Sequence, residues 1–159
     1  MKPIPNHGKR DVKLYNVLFP LWMILLFPQL WLIVLPGNFL IDSLVFMISM
    51  LALKMESKKQ YYKKYILKIY LFGMLADLIG AGYMLLMVFQ FHIGGPLYDA
   101  PIITVPALLI SAVLIFVANY FVTFRPLERA LKIKLALIFA IVTAPYTFLI
   151  PSNLLYGWS

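Results

Sequence analysis

The 159-residue chain contains no cysteine and few charged residues, and each shortage excludes a class of protein. Without cysteine there is no disulfide framework, no thiolate nucleophile and no cysteine-ligated metal site. Charged residues make up 13% of the chain and apolar residues 63%, a composition that excludes a disordered chain and an ordinary water-soluble domain. The composition therefore predicts that lipid surrounds most of the chain.

Residues that commonly take part in catalysis are also scarce. His7 and His92 are the only histidines, and no HExxH, GxSxG, glycine-rich phosphate loop or Ser/Lys pair is present. His92 shares a loop with Asp99, but two side chains are too few for a metal site. We therefore expect that the protein is not an enzyme and that it has no catalytic residues, no metal and no cofactor.

The net charge of +8 reflects 14 Lys and Arg residues that are confined to three clusters. These clusters are Lys2–Lys13, Lys54–Lys68 and Arg125–Lys134. A nucleic-acid interface would gather its basic residues on one water-facing module, whereas these clusters separate apolar runs. We therefore expect no nucleic-acid partner, and we interpret the clusters as topology signals that also contact anionic lipid headgroups.

The apolar runs predict helices that cross a bilayer, for which roughly 20 residues each are needed. The run at 14–53 is about twice that long and contains Pro36-Gly37-Asn38, a turn signal that predicts a hairpin of two helices. The expected fold class is all-α, a polytopic transmembrane helix bundle that forms one domain over residues 1–159. The five expected spans are 15–35, 39–55, 69–91, 103–124 and 133–150.

With five spans, all three basic clusters lie on one side of the membrane. The positive-inside rule then predicts a cell (cytoplasmic) membrane protein whose N-terminus is cytoplasmic and whose C-terminus is exterior. A re-entrant hairpin at 14–53 would leave the charges on the same side, so only the length of the run favours two crossings. The lysines of Lys54–Lys68 spread around the whole helical wheel, which predicts a charged linker rather than an amphipathic helix.

Two acidic residues fall inside predicted spans. An Asp at the centre of a membrane helix costs about 2.5–3.5 kcal/mol and normally faces protein. Counted from Lys68 and from Lys54, Asp77 and Asp42 differ by only about 5 Å in depth, so they are neighbours if their spans pack together. Asp42 is alternatively a partly hydrated acid beside the outer turn. Because no basic residue lies at its depth, Asp77 is expected to be a neutral acid that donates a hydrogen bond.

Polar partners for Asp77 follow from depth. Asn119 precedes Arg125 by six residues and Thr143 follows Lys134 by nine, which places both near the level of Asp77. A hydrogen bond from Asp77 to either residue would join helices with a gain of about 0.6–2 kcal/mol. The alternative is that Asp77, Asp42, Asn119 and Thr143 bind or couple a proton, a cation or a solute.

Small residues form stripes on two predicted spans and favour close helix packing. The stripes consist of Gly73, Ala76 and Gly80 on the predicted span 69–91 and of Ala136 and Ala140 on the predicted span 133–150.

Pro145 lies near the end of the predicted span 133–150, where it should kink the helix and free a carbonyl group.

These observations favour a small multi-pass integral membrane protein that acts as a membrane-embedded subunit or helix-packing partner. Its partner would be a second copy of the chain or another membrane protein. The alternative function is a proton- or cation-linked small-solute transporter or channel unit that uses Asp77 near the middle of the bilayer.

Overall fold

The computed structural model describes residues 31–91 and 100–150, and every regular element within them is helical. The prediction of an all-α fold is confirmed for these residues. The helices are α1 (Trp31–Ala52), α2 (Lys58–Phe91), α3 (Pro101–Ala118) and α4 (Arg129–Val142). A π-helical segment, Asn119–Thr123, continues α3, and a 3₁₀ turn, Tyr146–Leu149, follows α4.

Four stretches of the described residues are long and apolar enough to cross a membrane. They are Trp31–Ala52, Lys58–Gln90, Pro101–Thr123 and Arg129–Leu149. Large apolar side chains cover their outer faces; Leu44, Leu75 and Leu109, for example, are each more than half exposed. Such faces suit hydrocarbon rather than water, so the structure is compatible with a membrane protein.

Four aromatic rings from different elements meet in a buried cluster. Phe46 of α1, Phe124 after the π-helical segment and Phe139 of α4 have ring centroids 6.0–6.2 Å apart. Tyr65 of α2 contacts Phe124 edge-on at 5.9 Å. All four rings are at most 2% exposed, so their packing sets the register of the helices. We call these four residues the ring cluster.

The ring cluster also shows where the described basic residues lie. Tyr65 is within the Lys54–Lys68 cluster and Phe124 directly precedes Arg125. Because Tyr65 and Phe124 are in contact, Lys54–Lys68 and Arg125–Lys134 occupy the same end of the bundle. We call this the basic end.

A Schellman motif ends α1 at the basic end. Lys54 takes the left-handed conformation with φ of 50°. The Met55 N–H donates to the Met50 carbonyl at 3.0 Å, and the Lys54 N–H donates to the Leu51 carbonyl at 3.1 Å. Met50 and Met55 are both buried in the core, as the motif requires of its hydrophobic pair. The chain can therefore reverse direction here without glycine.

The predicted hairpin turn at Pro36-Gly37-Asn38 is wrong, because α1 continues through all three residues. Pro36 has no N–H for the carbonyl of Leu32, four residues earlier, and the helix continues without that one bond. Asn38 faces α2 and donates its side-chain amide to Met74 Sδ at 3.3 Å, a contact that the helical conformation permits. Residues 15–30 of the predicted first span lie outside the described residues.

The predicted charged linker over Lys54–Lys68 is also wrong from Lys58 onward, where α2 begins. The lysines are spread around the helical wheel, but the apolar residues between them lie on one face of the helix. Tyr65, Ile66 and Ile69 are buried against the other helices, while the lysines are exposed. The helix is therefore held by its apolar face, and the long lysine side chains extend away from it.

The small-residue stripes pack against the chain's own helices. A β-carbon added at Gly80 would meet Ser111 Oγ, and it would lie 2.7 Å from Phe148 Cε2 and 3.2 Å from the Ala107 carbonyl oxygen. Ser111 Oγ also donates to the Ala76 carbonyl at 3.0 Å. Ala136 and Ala140 of α4 are buried as well. The stripes therefore let these helices approach closely within one chain.

Substitution of Gly80 should measure this close approach. Because a methyl group at Gly80 overlaps its neighbours on α3 and the 3₁₀ turn, Gly80→Ala should lower the free energy of unfolding by about 1–3 kcal/mol. Gly82 is the matched control, since a β-carbon there meets nothing within 4 Å. Gly82→Ala should be neutral or stabilise by up to about 1 kcal/mol through helix propensity. Equal effects of the two variants on unfolding in detergent would contradict the close approach at Gly80.

Candidate functional site

The helical part of the predicted fifth span ends early. α4 stops at Val142, two residues before Ala144-Pro145, and a 3₁₀ turn begins at Tyr146. Pro145 has no N–H to offer the Ile141 carbonyl, four residues earlier. That carbonyl instead accepts a hydrogen bond from the Tyr146 hydroxyl. The predicted effect of Pro145 is thus seen as a break in the helix rather than a gentle kink.

The break leaves a cavity of about 400 Å³ between α1, α2 and the segment that follows α4. Residues from α1 and α2 line one side, and the helix break lines the other. The lining consists of Val34, Gly37, Asn38, Ile41, Asp42, Gly73, Met74, Asp77 and the run 142–147. Among the described residues, this lining contains no Lys, Arg or His. Its only charged groups are therefore acidic.

Asp42 and Asp77 both line this cavity, as their similar depth predicted. They are only 6% and 8% exposed, respectively. A β-carbon at Gly73 would lie 3.6 Å from Asp42 Oδ2, so the carboxyl group of Asp42 reaches across to α2 where that helix has no side chain. Asp77 Oδ1 is buried and has no hydrogen-bond partner. A buried carboxyl oxygen without a partner is costly unless something binds to it.

The neutral polar side chains of the lining are mostly committed to the protein as donors. Asn38 donates its amide to Met74 Sδ at 3.3 Å. Thr143 donates its hydroxyl to the Phe139 carbonyl at 2.9 Å, and Tyr146 donates its hydroxyl to the Ile141 carbonyl. The lining also contains the hydroxyl of Thr147 and the second N–H of the Asn38 amide, so a ligand meets donors as well as acceptors, and the two carboxyl groups are the charged ones.

The structure brings three of the four predicted site residues together and leaves one out. Asp42, Asp77 and Thr143 line the cavity, but Asn119 does not. The predicted hydrogen bond between Asp77 and Thr143 is not formed, because the Thr143 hydroxyl turns back to its own helix. Asp42 lies in the middle of α1, so the expectation of a hydrated acid beside a turn is wrong.

The prediction that Asn119 lies near the level of Asp77 is wrong, because Lys68 and Arg125, from which the two depths were counted, do not lie at the same level of the bundle. Tyr65 and Phe124 are in contact and mark one level. Asp77 is twelve residues beyond Tyr65, or about 18 Å, whereas Asn119 is five residues from Phe124, or about 8 Å. Lys68, from which the depth of Asp77 was counted, lies well inside α2 rather than at its start.

Asn119 instead begins the π-helical segment, where the Phe124 N–H donates to the Asn119 carbonyl at 2.8 Å. Asn119 and Thr123 are both fully buried, and neither the Asn119 side-chain amide nor the Thr123 hydroxyl has a partner. A π-helical turn inside a membrane helix often accompanies function. Neither residue lines the cavity that contains Asp42 and Asp77, however, so they are not part of the candidate site.

Sequence analysis does not identify three contributors to the site. Asn38 belongs to the predicted turn, and Met74 and Tyr146 are not among the predicted site residues. Only Tyr146 has a signal in the sequence, because it directly follows Pro145 and so lies beside the carbonyl that proline frees.

Comparisons with known proteins do not assign this site. No protein family, curated protein or solved structure matches the chain. The geometry of the described residues is therefore the basis for a functional proposal.

The hydrogen bond of Tyr146 to the helix break can be tested by a double-mutant cycle. Tyr146→Phe should destabilise the protein by about 1 kcal/mol, because the Ile141 carbonyl then loses its donor in a lipid environment. Pro145→Ala restores a backbone N–H four residues after Ile141, so Tyr146→Phe should have less effect in that background. Thermal unfolding in detergent would measure both effects. If they were simply additive, the hydroxyl would not be replacing the missing N–H.

Proposed function

We propose that the protein is a proton- or cation-linked small-solute transporter unit whose site is the cavity lined by Asp42 and Asp77. The observation that supports this most directly is that Asp42 and Asp77, both buried, line one cavity of about 400 Å³ whose described lining contains no basic residue. An acid that served only to join helices would be hydrogen-bonded to another helix, whereas Oδ1 of Asp77 has no partner.

The electrostatics of the cavity favour a positive occupant. Two carboxyl groups share the lining, and no described basic side chain compensates them. Two neighbouring acids do not readily ionise together away from water, so a proton held by the pair lowers their mutual repulsion. A cation that binds there stabilises the ionised form and releases the proton. Binding of the cation and loss of the proton are thereby linked.

The broken α4 supports the same proposal. Interrupted helices in membrane proteins place free backbone groups and polar side chains around binding sites near the middle of the bilayer. Asp77 lies about 18 Å along α2 from Tyr65 of the ring cluster, a distance that is compatible with a site in the interior of a hydrocarbon core about 30 Å thick.

The alternative role of helix-packing partner has less support. That role was predicted from the small-residue stripes. Gly80, Ala136 and Ala140 pack within the same chain, so they do not offer a surface to a partner. Association with a second copy or another membrane protein would have to use the exposed apolar faces instead.

We also propose that the basic end faces the cytoplasm, since both described basic clusters lie there. Because α1 is one continuous helix, a cytoplasmic N-terminus would require a fifth crossing within residues 14–30, an apolar run of about the minimum length.

Single-cysteine labelling tests this orientation, and the absence of native cysteine removes any background. In right-side-out vesicles, a membrane-impermeant thiol reagent should label Gly94→Cys, which lies in the connection between α2 and α3. It should label Lys59→Cys and Glu128→Cys only after the vesicles are permeabilised, because both positions are at the basic end. Labelling of Gly94→Cys and Lys59→Cys from the same side would contradict the orientation.

The coupling role of Asp77 predicts a charge movement that depends on pH. In proteoliposomes on a solid-supported membrane, a pH jump should produce a transient current as the acid pair gains or loses a proton. Asp77→Asn should abolish most of that current, because the amide keeps the shape of the acid but cannot titrate. Glu128→Gln is the control, since it removes an exposed acid at the basic end and should leave the current unchanged.

Thermal unfolding of Asp77→Asn decides between coupling and a structural role. A variant that stays folded and loses the current supports the proposal. A variant that keeps the current contradicts it, as does one whose only change is a lower unfolding temperature.

A further inference from the structure

The size of the cavity restricts what its ligand can be. A water molecule has about 30 Å³ in the liquid, and pockets for small organic ligands start at about 300 Å³. The cavity measures about 400 Å³, so a bare metal ion or a proton alone would occupy only a small part of it. A ligand with an organic body of modest size fits this volume better.

The lining restricts the chemistry of that ligand. Apolar side chains of Val34, Ile41, Val142 and Pro145 surround most of the space, which suits an apolar group. A dehydrated metal cation would bind only at the oxygens of the two acids and the helix break and would leave the apolar part of the cavity empty. An anion would meet two carboxyl groups and no described basic residue.

The charge of the lining points to a ligand that is positive and donates hydrogen bonds. The carboxyl groups of Asp42 and Asp77 are the only charged groups of the described lining, and when ionised they are acceptors only. A protonated amine has N–H groups for these acceptors and a positive charge for the acid pair. A quaternary ammonium ion has the charge without the donors, and an alcohol has a donor without the charge.

We infer that the solute of this cavity is a small organic ammonium ion, a protonated primary or secondary amine that has an apolar group. The inference rests on the proposed function and adds its substrate class. The ammonium N–H groups lie at Asp77 and Asp42, and the apolar group fills the space toward Val34 and Val142. When the ammonium ion binds, the proton held by the acid pair leaves to water, so no net charge is added to the cavity.

This exchange depends on the titratable groups around the cavity. They are Asp42 on α1, Asp77 on α2 and Tyr146 after α4, with Tyr70 on α2 packed against Phe39 nearby. α3 (Pro101–Ala118) contains no titratable residue. Amine binding should therefore release protons in an amount set by the two acids, which calorimetry in two buffers of different ionisation enthalpy measures.

The first test compares four probes on the full-length protein in nanodiscs, with isothermal titration calorimetry as the measurement. Benzylammonium should bind at neutral pH and release protons. Benzyl alcohol and benzyltrimethylammonium, which lack the charge and the N–H donors respectively, should each bind at least about tenfold more weakly. Excess sodium chloride should not displace benzylammonium beyond the effect of ionic strength, for which choline chloride is the control. Asp77→Asn should weaken benzylammonium binding by a similar factor.

A second variant tests the volume without touching the acids. Gly37 lines the cavity, and a β-carbon there meets nothing within 4 Å, so Gly37→Leu should fold and fill part of the space. We expect the ratio of benzylammonium to methylammonium affinity to fall about tenfold. Gly82→Leu is the matched control, because Gly82 also has open space around it but does not line this cavity, and its ratio should not change.

The outcomes separate this inference from the proposed function. If the pH-jump current requires Asp77 but sodium competes with benzylammonium, or benzyl alcohol binds as well as the amine, the coupled site stands and the organic ammonium is wrong. If Gly37→Leu does not change the ratio of benzylammonium to methylammonium affinity, the inference is likewise overturned. If the current does not depend on Asp77, both proposals fail together.

Discussion

The constraint on which this molecule depends is the burial of two carboxyl groups in a cavity whose lining, within the described residues, contains no basic side chain to neutralise them. Asp42 and Asp77 are brought together by the antiparallel packing of α1 and α2, and each is more than nine-tenths buried. An apolar surrounding strongly disfavours two such charges. The arrangement therefore makes sense only if the acids stay protonated or if a positive ligand replaces the proton.

The break after α4 provides the space that makes replacement feasible. α4 ends at Val142, and the residues that follow it, 143–147, line the cavity together with Asp42 and Asp77. Pro145 prevents a regular continuation of the helix, and the Tyr146 hydroxyl satisfies the carbonyl that proline leaves free. A helix-breaking residue thus contributes to the site through the course of the backbone after it.

Much of the fold could be predicted from the sequence because its signals are local. Apolar runs mark the helices, and the similar depth of Asp42 and Asp77 follows from counting residues, although the lysines from Lys58 to Lys68 lie within α2 rather than in a linker. Pro36-Gly37-Asn38 led to the wrong prediction of a turn, because tertiary packing can override local turn propensity. In the structure, Asn38 contacts Met74 of α2 from within a continuous helix. Nothing in the sequence near Asn119 reveals the register between α2 and α3, which depends on ring contacts such as Tyr65 with Phe124.

The small-residue stripe at Gly80 shows a different limit of prediction from the sequence. Glycine and alanine on one face predict a close approach, but they do not say whether the neighbour belongs to the same chain. Here Ser111 and Phe148 of the same chain lie against Gly80, and their positions 31 and 68 residues away along the sequence give no local signal.

The ring cluster has an electrical consequence. Its rings form an apolar layer of low dielectric constant between the basic end and the two carboxyl groups. Tyr65 and Asp77 are twelve residues apart on α2, or about 18 Å. A charge that passed along α2 between the basic end and the acids would leave water for this layer and bear the desolvation cost of an ion in an apolar surrounding.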